Sequence, residues 1–328
     1  MRVGIIGAGV AGLCAAYNLK QNGHDVSLFD KSRGVGGRLS TRYAGAFEYD
    51  HGAQYFTVID PQFASIVQDA VAQGAVARWS GRALYLKTGL LTTDTGAERW
   101  VGAPRMNSFA KFLASDLDVV LHCRVQSLKR ENDGSWTLIF EDGENGPIQD
   151  RGGFEAIICT APSEQAKLIL PETFSGHAEI NQTKMDACFA LMIGLETPFD
   201  IGWDTLRVNN LPVSWLSVNS SKPKRGEAAT LVVHASPEWS NQNVDTDRDT
   251  ITNLMLDVTA ALTRLDVSNA SHISLHRWLY ASVSKSPNKP CLVDTSQNLI
   301  AAGDWCLGGR VEGAALSGLA AAEAIDRL

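Results

Sequence analysis

The sequence predicts an α/β chain: a Rossmann-like dinucleotide-binding domain assembled from both chain ends, with an interleaved, sheet-rich α+β domain between them. Three observations carry this. "GIIGAGVAGL" at residues 4–13 holds glycines in a G-x-G-x-x-G spacing; "NLIAAGDWCLGG" followed by "GAALSGLAAAEAIDRL" repeats a strand-turn-helix theme at the far end; strand-like runs crowd the middle of the chain.

The first unit reads as strand, tight turn and helix. The apolar run Val3 to Ile6 precedes Gly7, Gly9, Ala11 and Gly12, and the helical stretch Leu13 to Lys20 follows. In this spacing the first glycine permits the turn, the second lets backbone approach a pyrophosphate, and the third lets helix and strand pack closely. A helix N-terminus then offers free N–H groups to phosphates. After a turn at Asn22-Gly23-His24, the run "DVSLFD" ends in Asp30, 18 residues beyond Gly12, where a carboxylate would accept ribose hydroxyls. NAD and FAD both satisfy this pattern.

Further along, "MNSFAKFLASDL" is helical, and "DVVLHCRVQSLKRE", "GSWTLIFEDGE" and "FEAIICTAP" read as three strands. Turns are expected at Asn132-Asp133-Gly134 and from Gly143 to Gly153. "CFALMIGL", "VSWLSVNSS" and "ATLVVHAS" are strand-like. A helix from about Thr250 to Leu265 should bury Ile251, Leu254, Val258 and Leu262, ahead of the strand-like "ISLHRWLY". The cofactor domain is expected over residues 1–60, 103–163 and 290–328, and the substrate domain over 61–102 and 164–289, with the substrate site where they meet.

Composition narrows the class. The 328 residues are 45% hydrophobic and 20% charged, ordinary for a globular protein large enough to fold unaided. A net charge of −7 argues against nucleic-acid binding, and the short cluster Lys222, Lys224, Arg225 reads as a solvated loop. The six cysteines show no C-x-x-C pair and no metal-ligand spacing, so no metal is expected, and they read as small buried groups in a reducing compartment. The N-terminal apolar run carries the fingerprint glycines rather than a secretion signal, and no stretch reaches the roughly 18 apolar residues of a membrane span. No membrane partner and a cytoplasmic location are therefore expected.

The segment after Asp30, "KSRGVGGRLST", places Lys31 and two glycines ahead of Arg38. It resembles the R-x-G-G-R-x-x-T extension of the flavoprotein amine oxidase superfamily, which includes monoamine and polyamine oxidases, phytoene desaturases and renalases. "GDWCLGGRVEGAALSG" resembles the second flavin fingerprint of the same superfamily, and "YDHGAQYFT" resembles the D-x-G-A-Q-Y sequence of bacterial-type renalases. The likeness spans most of the chain, strongest at both ends. It implies a p-hydroxybenzoate hydroxylase/monoamine oxidase-like fold and bound FAD. By the same resemblance, Lys31 belongs to the cofactor site, Arg38 lies in the diphosphate region, Asp304 meets the ribityl or diphosphate portion, and the Val311 backbone meets the flavin pyrimidine edge. Glu312 serves equally as a dipole partner of the helix's first turn. Gln54 and Tyr55 would lie along the flavin, and Val125 would meet the adenine end.

No segment resembles the cysteine-bearing tether of monoamine oxidases, so the FAD is expected to be noncovalent. No pair of facing tyrosines is evident, and Tyr280 stands without a mate. The renalase resemblance implies a dihydronicotinamide dinucleotide reduced at the 2- or 6-position as donor and O2 as acceptor, yielding NAD(P)+ and hydrogen peroxide. Such a donor gains aromaticity as hydride leaves, so positioning suffices and no general base is required. His234, inside "LVVHAS", is the side chain expected nearest the reaction; a histidine on a strand is also an ordinary satisfied core residue. His51 has the same standing, and Arg277 with Trp278 would hold phosphates and ring at the mouth. An amine oxidase or desaturase and a noncatalytic flavoprotein are the competing readings.

Overall fold

A computed structural model describes residues 1–143 and 146–328. Six strands form one sheet in the order Leu292–Asp294, Leu299–Ala301, Ala156–Cys159, Arg2–Ile6, Asp25–Phe29 and Asp118–Val120. Every neighbouring pair runs parallel except the first. The uninterrupted apolar character of Ala156–Cys159 and of Val3 to Ile6 follows from burial on both faces, as the centre of a parallel sheet requires. The two chain ends thus meet in one sheet. Helices Val10–Gln21 and Val311–Ile325 pack against each other beside it, so close that a Cβ on Gly318 would sit 2.1 Å from the Ala11 carbonyl oxygen. The run of small residues in the last helix is the sequence cause of that approach.

The middle of the chain builds a second sheet of seven strands. Their order is His272–Lys285, Lys184–Leu195, Ala229–Ala235, Val213–Val218, Thr205–Val208, Ala83–Lys87 and Leu90–Thr93. Pairing is antiparallel except between Thr205–Val208 and Ala83–Lys87. One face of this sheet, with Leu231, Val233 and Leu216, packs on helix Arg248–Thr263. That helix buries Ile251, Met255 and Thr259, while Leu254, expected inside, is exposed. The stripe i, i+4, i+8 tolerates the threonine because its hydroxyl donates to the Met255 carbonyl at 2.7 Å.

Other expectations meet a different local structure. "DVVLHCRVQSLKRE" is not one strand: around His122, at φ 59°, it divides into Asp118–Val120 in the parallel sheet and Val125–Arg130 in a separate sheet with Trp136–Phe140 and Arg151–Phe154. The helix expected in "MNSFAKFLASDL" is confined to Asn107–Leu113. The turn expected from Gly143 to Gly153 includes residues 144 and 145, which lie outside the described residues. Helix Pro61–Ala72 and strand Trp100–Gly102 share a core with Leu13 and Phe109. The expected boundaries at 60/61 and 102/103 therefore run through that core, and only Ala83–Lys87 and Leu90–Thr93 of this stretch join the seven-stranded sheet.

The basic cluster is not a solvated loop. Lys222 and Arg225 are buried against Asp50, with N–O separations of 3.2 and 2.6 Å and side chains at most 2% exposed. Asp50 also accepts from Thr41 Oγ1 at 2.8 Å and from the Met106 backbone N–H at 3.0 Å. These partners, led by Lys222 and then Arg225, outweigh the burial that opposes its charge and hold its carboxyl well below the ordinary range. Burial draws Lys222 down to about 8, which leaves it cationic at pH 7. Lys224, between them at φ 59°, is exposed.

Two stability outcomes are expected. Gly318→Ala should cost about 1–3 kcal/mol by forcing the terminal helices apart, read from urea midpoints; an unchanged midpoint would refute the contact. Asp50→Asn should cost about 3–5 kcal/mol because two buried cations lose their counter-ion, and a loss below 1 kcal/mol would show that they find other partners.

Candidate active site

A cleft of about 1740 Å³ is lined by both the six-stranded and seven-stranded sheets. At its nucleotide end it is lined by Gly7, Gly9, Val10 and Ala11 from the first turn, by Asp30 and Val125, and by Asp304 and Val311 from the chain's far end. Helices Val10–Gln21 and Val311–Ile325 both begin there without a side-chain cap, so their first N–H groups and positive ends face the cleft. Asp30 accepts from the Ala8 N–H and the Ser32 N–H, each at 2.7 Å, one bond per oxygen. Lys31 donates to Gln165 Oε1 at 3.0 Å. Gly12 is not in the wall: a Cβ there would lie 2.0 Å from the Gly7 carbonyl oxygen, which makes it a packing residue.

Arg38 lines the cleft and is anchored within the protein. Its guanidinium forks onto Asp304, with Nη1 to Oδ2 at 2.8 Å and Nη2 to Oδ1 at 2.5 Å, and Nη1 also donates to the Ala281 carbonyl at 3.0 Å. Planar guanidinium matches planar carboxylate, so the pair ties the glycine-rich loop to the turn that follows strand Leu299–Ala301. Glu312 is buried and accepts from the Ile59 and Asp60 N–H groups at 2.6 and 2.8 Å.

The opposite wall is the face of the seven-stranded sheet turned away from helix Arg248–Thr263. Pairing registers His276 with Ala190, Ala190 with His234, and His234 with Trp215, so these four residues form one row across four strands. Residues directly opposite share a face, and the small Ala190 leaves room between the two imidazoles. The loop after strand Phe47–Asp50 packs over this row. Its His51 carbonyl accepts from His234 Nε2 at 3.1 Å and from Trp278 Nε1 at 3.0 Å. The His51 ring stacks on Trp278 at 5.1 Å and meets His276 edge-on at 4.9 Å. Gln54 is buried: its amide N–H groups donate to the Asp50 and Gly52 carbonyls at 2.5 and 3.0 Å, and its oxygen accepts from Ser217 and Lys222. Tyr55 contacts Trp215 at 5.4 Å, with the Arg99 guanidinium 5.0 and 5.4 Å from the two rings.

All three imidazoles are held neutral. Burial, then the proximity of the His276 imidazole and the Arg42 guanidinium, lowers His51 to about 3; burial lowers His234 to about 4; burial, Arg42 and Arg248 lower His276 to about 4. The carboxylates lining the cleft, among the described residues, are Asp30, Glu141 and Asp304, all on the nucleotide side. None stands on the sheet wall.

Arg277 and Trp278 both line the cleft, but their side chains turn to opposite faces of the strand. Adjacent strand residues point to opposite faces; Trp278 turns in to His51, whereas Arg277 is exposed and donates to the Val244 carbonyl. His276 takes the inward place instead. The alternation of His272, His276 and Trp278 in "HISLHRW" is the signal that identifies it. Tyr280 lines the cleft and stacks with no ring among the described residues.

Comparison with known proteins accounts for this architecture. Residues 70–326 match the family described as flavin containing amine oxidoreductase, and residues 5–70 match an NAD(P)-binding Rossmann-like domain. The chain belongs to the flavin-containing amine oxidoreductase family. Protoporphyrinogen oxidase 2 of Arabidopsis thaliana is 40% identical over 68 residues, 21% of this chain and 13% of that protein. The 4,4'-diapophytoene desaturase of Staphylococcus aureus is 42% identical over 52 residues, 16% and 10%. The chain thus matches only a small fraction of either relative's length. Cyclohexylamine oxidase from Brevibacterium oxydans superposes with a TM-score of 0.77 at 14% identity, covering 99% and 98% of the two chains. Putrescine oxidase bound to putrescine gives 0.73 at 14%, covering 100% and 99%. These likenesses establish the fold. The family member is a flavin-dependent oxidoreductase with FAD as cofactor. The cleft fits that group: two uncapped helix ends suit its anionic portions, and a Cβ on Gly9 would meet no atom within 4 Å, leaving open space where the first helix begins.

A pH expectation follows from the imidazoles. A histidine depressed in the fold leaves stability intact above about pH 6.5; as pH falls toward 4 the unfolded chain takes protons the fold refuses, and Asp50 adds a further loss below the ordinary carboxylate range. Urea midpoints should therefore fall from pH 7.5 through 5.5 to 4.5; a midpoint that rises at pH 5.5 contradicts neutral burial.

Proposed function

We propose that the protein oxidises dihydronicotinamide dinucleotides reduced at the 2- or 6-position, the activity of a bacterial-type renalase. The donor, O2 and one proton would give NAD(P)+ and hydrogen peroxide. The observation that carries this reading is the sheet wall: neutral imidazoles and a tryptophan, without a carboxylate to pair with a protonated amine.

The FAD, when bound, supplies a two-electron acceptor that O2 reoxidises. On this reading the first helix end, with Gly7, Gly9 and the Val10 and Ala11 N–H groups, would hold its diphosphate, Asp30 its adenosine ribose, and Lys31 and Val125 the adenine side. The Arg38–Asp304 pair would face the ribityl portion, and Val311, Gln54 and Tyr55 would border the flavin ring. Noncovalent attachment is supported by the thiols that line the cleft, Cys123 and Cys188: burial pushes both up, Cys188 to about 12, so neither is a ready nucleophile. The division into cofactor and substrate domains belongs to the same proposal.

The donor needs a dry, flat surface rather than a base, because aromatisation of its ring drives the transfer. His51 and Trp278 offer that surface. His234 donates through Nε2 to the His51 carbonyl, which fixes its ring as one edge of the site. Its role is positioning.

An amine oxidase is the second reading, favoured by the aromatic pair Tyr55 and Trp215. Two features weigh against it. The rings touch at 5.4 Å and leave no gap for an amine between them, and the Arg99 guanidinium already occupies their π-systems.

Anaerobic mixing of the yellow protein with separated 2-, 4- and 6-dihydro-NAD decides the matter. Rapid flavin bleaching by the 2- or 6-isomer and little by ordinary NADH is expected; faster bleaching by NADH, benzylamine or a polyamine would replace the reading. His234→Ala should slow bleaching or weaken donor binding severalfold without abolishing turnover, with a rate flat between pH 6 and 8; wild-type kinetics would remove it from the site. Arg38→Ala should weaken FAD retention about tenfold or more, since buried Asp304 then lacks its cation. Full flavin content after gel filtration would leave that pair a purely structural clamp.

A further inference from the structure

We infer that Arg42, at the sheet end of the cleft, is the centre of an anion subsite for the diphosphate of a dinucleotide donor. This rests on the reading of the donor proposed above and assigns it a binding group besides Arg277.

Arg42 lies in strand Thr41–Ala44, opposite Tyr49 of strand Phe47–Asp50. Thr41 is buried and turned to Asp50, so alternation sends Arg42 to the other face. There Nη2 meets His276 Nδ1 at 3.3 Å, and both residues line the cleft. A guanidinium has five N–H donors and no acceptor. Among the described residues that imidazole is the side chain's only hydrogen-bond partner, and it is neutral.

Arg33, from the loop after Asp30, also lines the cleft; Arg248 opens helix Arg248–Thr263. Both lie near enough for their charge to add to burial in lowering the Arg42 pKa. Arg33, Arg42 and Arg248 form no ion pair with a carboxylate among the described residues, in contrast to Arg38, Arg82 and Arg99. Arg33 and Arg42, both lining the cleft without a carboxylate counter-ion among the described residues, repel one another, and an entering anion relieves that repulsion.

A second observation shows what adjoins the anion. His51 is 5% exposed, its Nδ1 is buried without a partner, and its ring lies between His276 and Trp278. A flat, partly polar wall thus borders the arginines. That juxtaposition suits a ligand carrying a planar heteroaromatic amide joined to phosphates. Bidentate phosphate recognition is the chemistry for which a guanidinium is better shaped than an ammonium.

The test uses FAD-loaded protein and redox-inert ADP-ribose, with adenosine and inorganic pyrophosphate as comparisons, followed by calorimetry. Wild type should bind ADP-ribose, more weakly as salt rises; Arg42→Ala and Arg42→Glu should weaken it about tenfold or more, with Arg42→Lys between, while adenosine binding stays the same. Pyrophosphate should compete with ADP-ribose in wild type. Flavin content equal across the variants separates this subsite from the cofactor's own diphosphate site. Loss of FAD in Arg42→Ala, undiminished ADP-ribose binding in Arg42→Glu, or no ADP-ribose binding by wild type overturns the proposal. The donor reading is scored separately by bleaching: isomers that fail to reduce the flavin overturn that reading even where ADP-ribose binding depends on Arg42. Isomers that reduce wild type and Arg42→Glu with one dissociation constant overturn the subsite alone.

Discussion

One buried carboxylate organises the site. Asp50 holds Lys222 and Arg225 from the loop after strand Val213–Val218, Thr41 from the neighbouring strand and the Met106 backbone from the other side of the fold. An ion removed from water must be matched by partners at close range, so three segments, the Thr41–Asp50 hairpin, Met106 and Lys222 to Arg225, are pinned to one point. The residues that follow it inherit this order. His51 carries the carbonyl that orients His234 and Trp278, and Gln54 is clamped between the Asp50 and Gly52 carbonyls, Ser217 and Lys222. A tight charge cluster behind the wall thus sets hydrogen-bond geometry on its front.

The cleft is electrically divided. Its nucleotide end combines two positive helix ends with carboxylates that are already engaged: Asp30 by backbone N–H groups, Asp304 by Arg38 and Glu141 by Arg124. Its sheet end has neutral imidazoles with cationic Arg42 beside them. Neutrality of the imidazoles is itself a consequence of their setting, because burial and nearby guanidinium charge both disfavour a proton there. A surface of this kind orients a flat ring through stacking and tolerates negative charge nearby, and it provides no charged base.

Much of the nucleotide side was legible along the chain, because each of its devices is local: Gly7 to Gly12 make one turn, Asp30 ends the next strand, and Asp304 precedes the last helix within a few residues. The sheet wall was legible only in part. His234 stood out within an apolar strand and His51 beside Gly52-Ala53, yet nothing local shows that His276, Ala190, His234 and Trp215 fall into one row, since that follows from strand register between distant segments. The opposite headings of Arg277 and Trp278 follow from the two-residue period of a strand. The Lys222 to Arg225 cluster looked solvated because its counter-ion lies more than 170 residues away in sequence.

The sequence by itself determined the parallel dinucleotide-type sheet, the glycine turn and the return of the C-terminus to that sheet, because these depend on backbone conformation and short-range pattern. That pattern left NAD and FAD open, and the family resemblance chose FAD. Tertiary structure alone decided which charges are buried, which histidines are neutral, and that Arg38 grips Asp304 while Arg42 is left without a carboxylate partner among the described residues. Pairing and desolvation are properties of neighbours in space. A side chain's charge partner and the water it loses are set by segments that only the folded chain brings together.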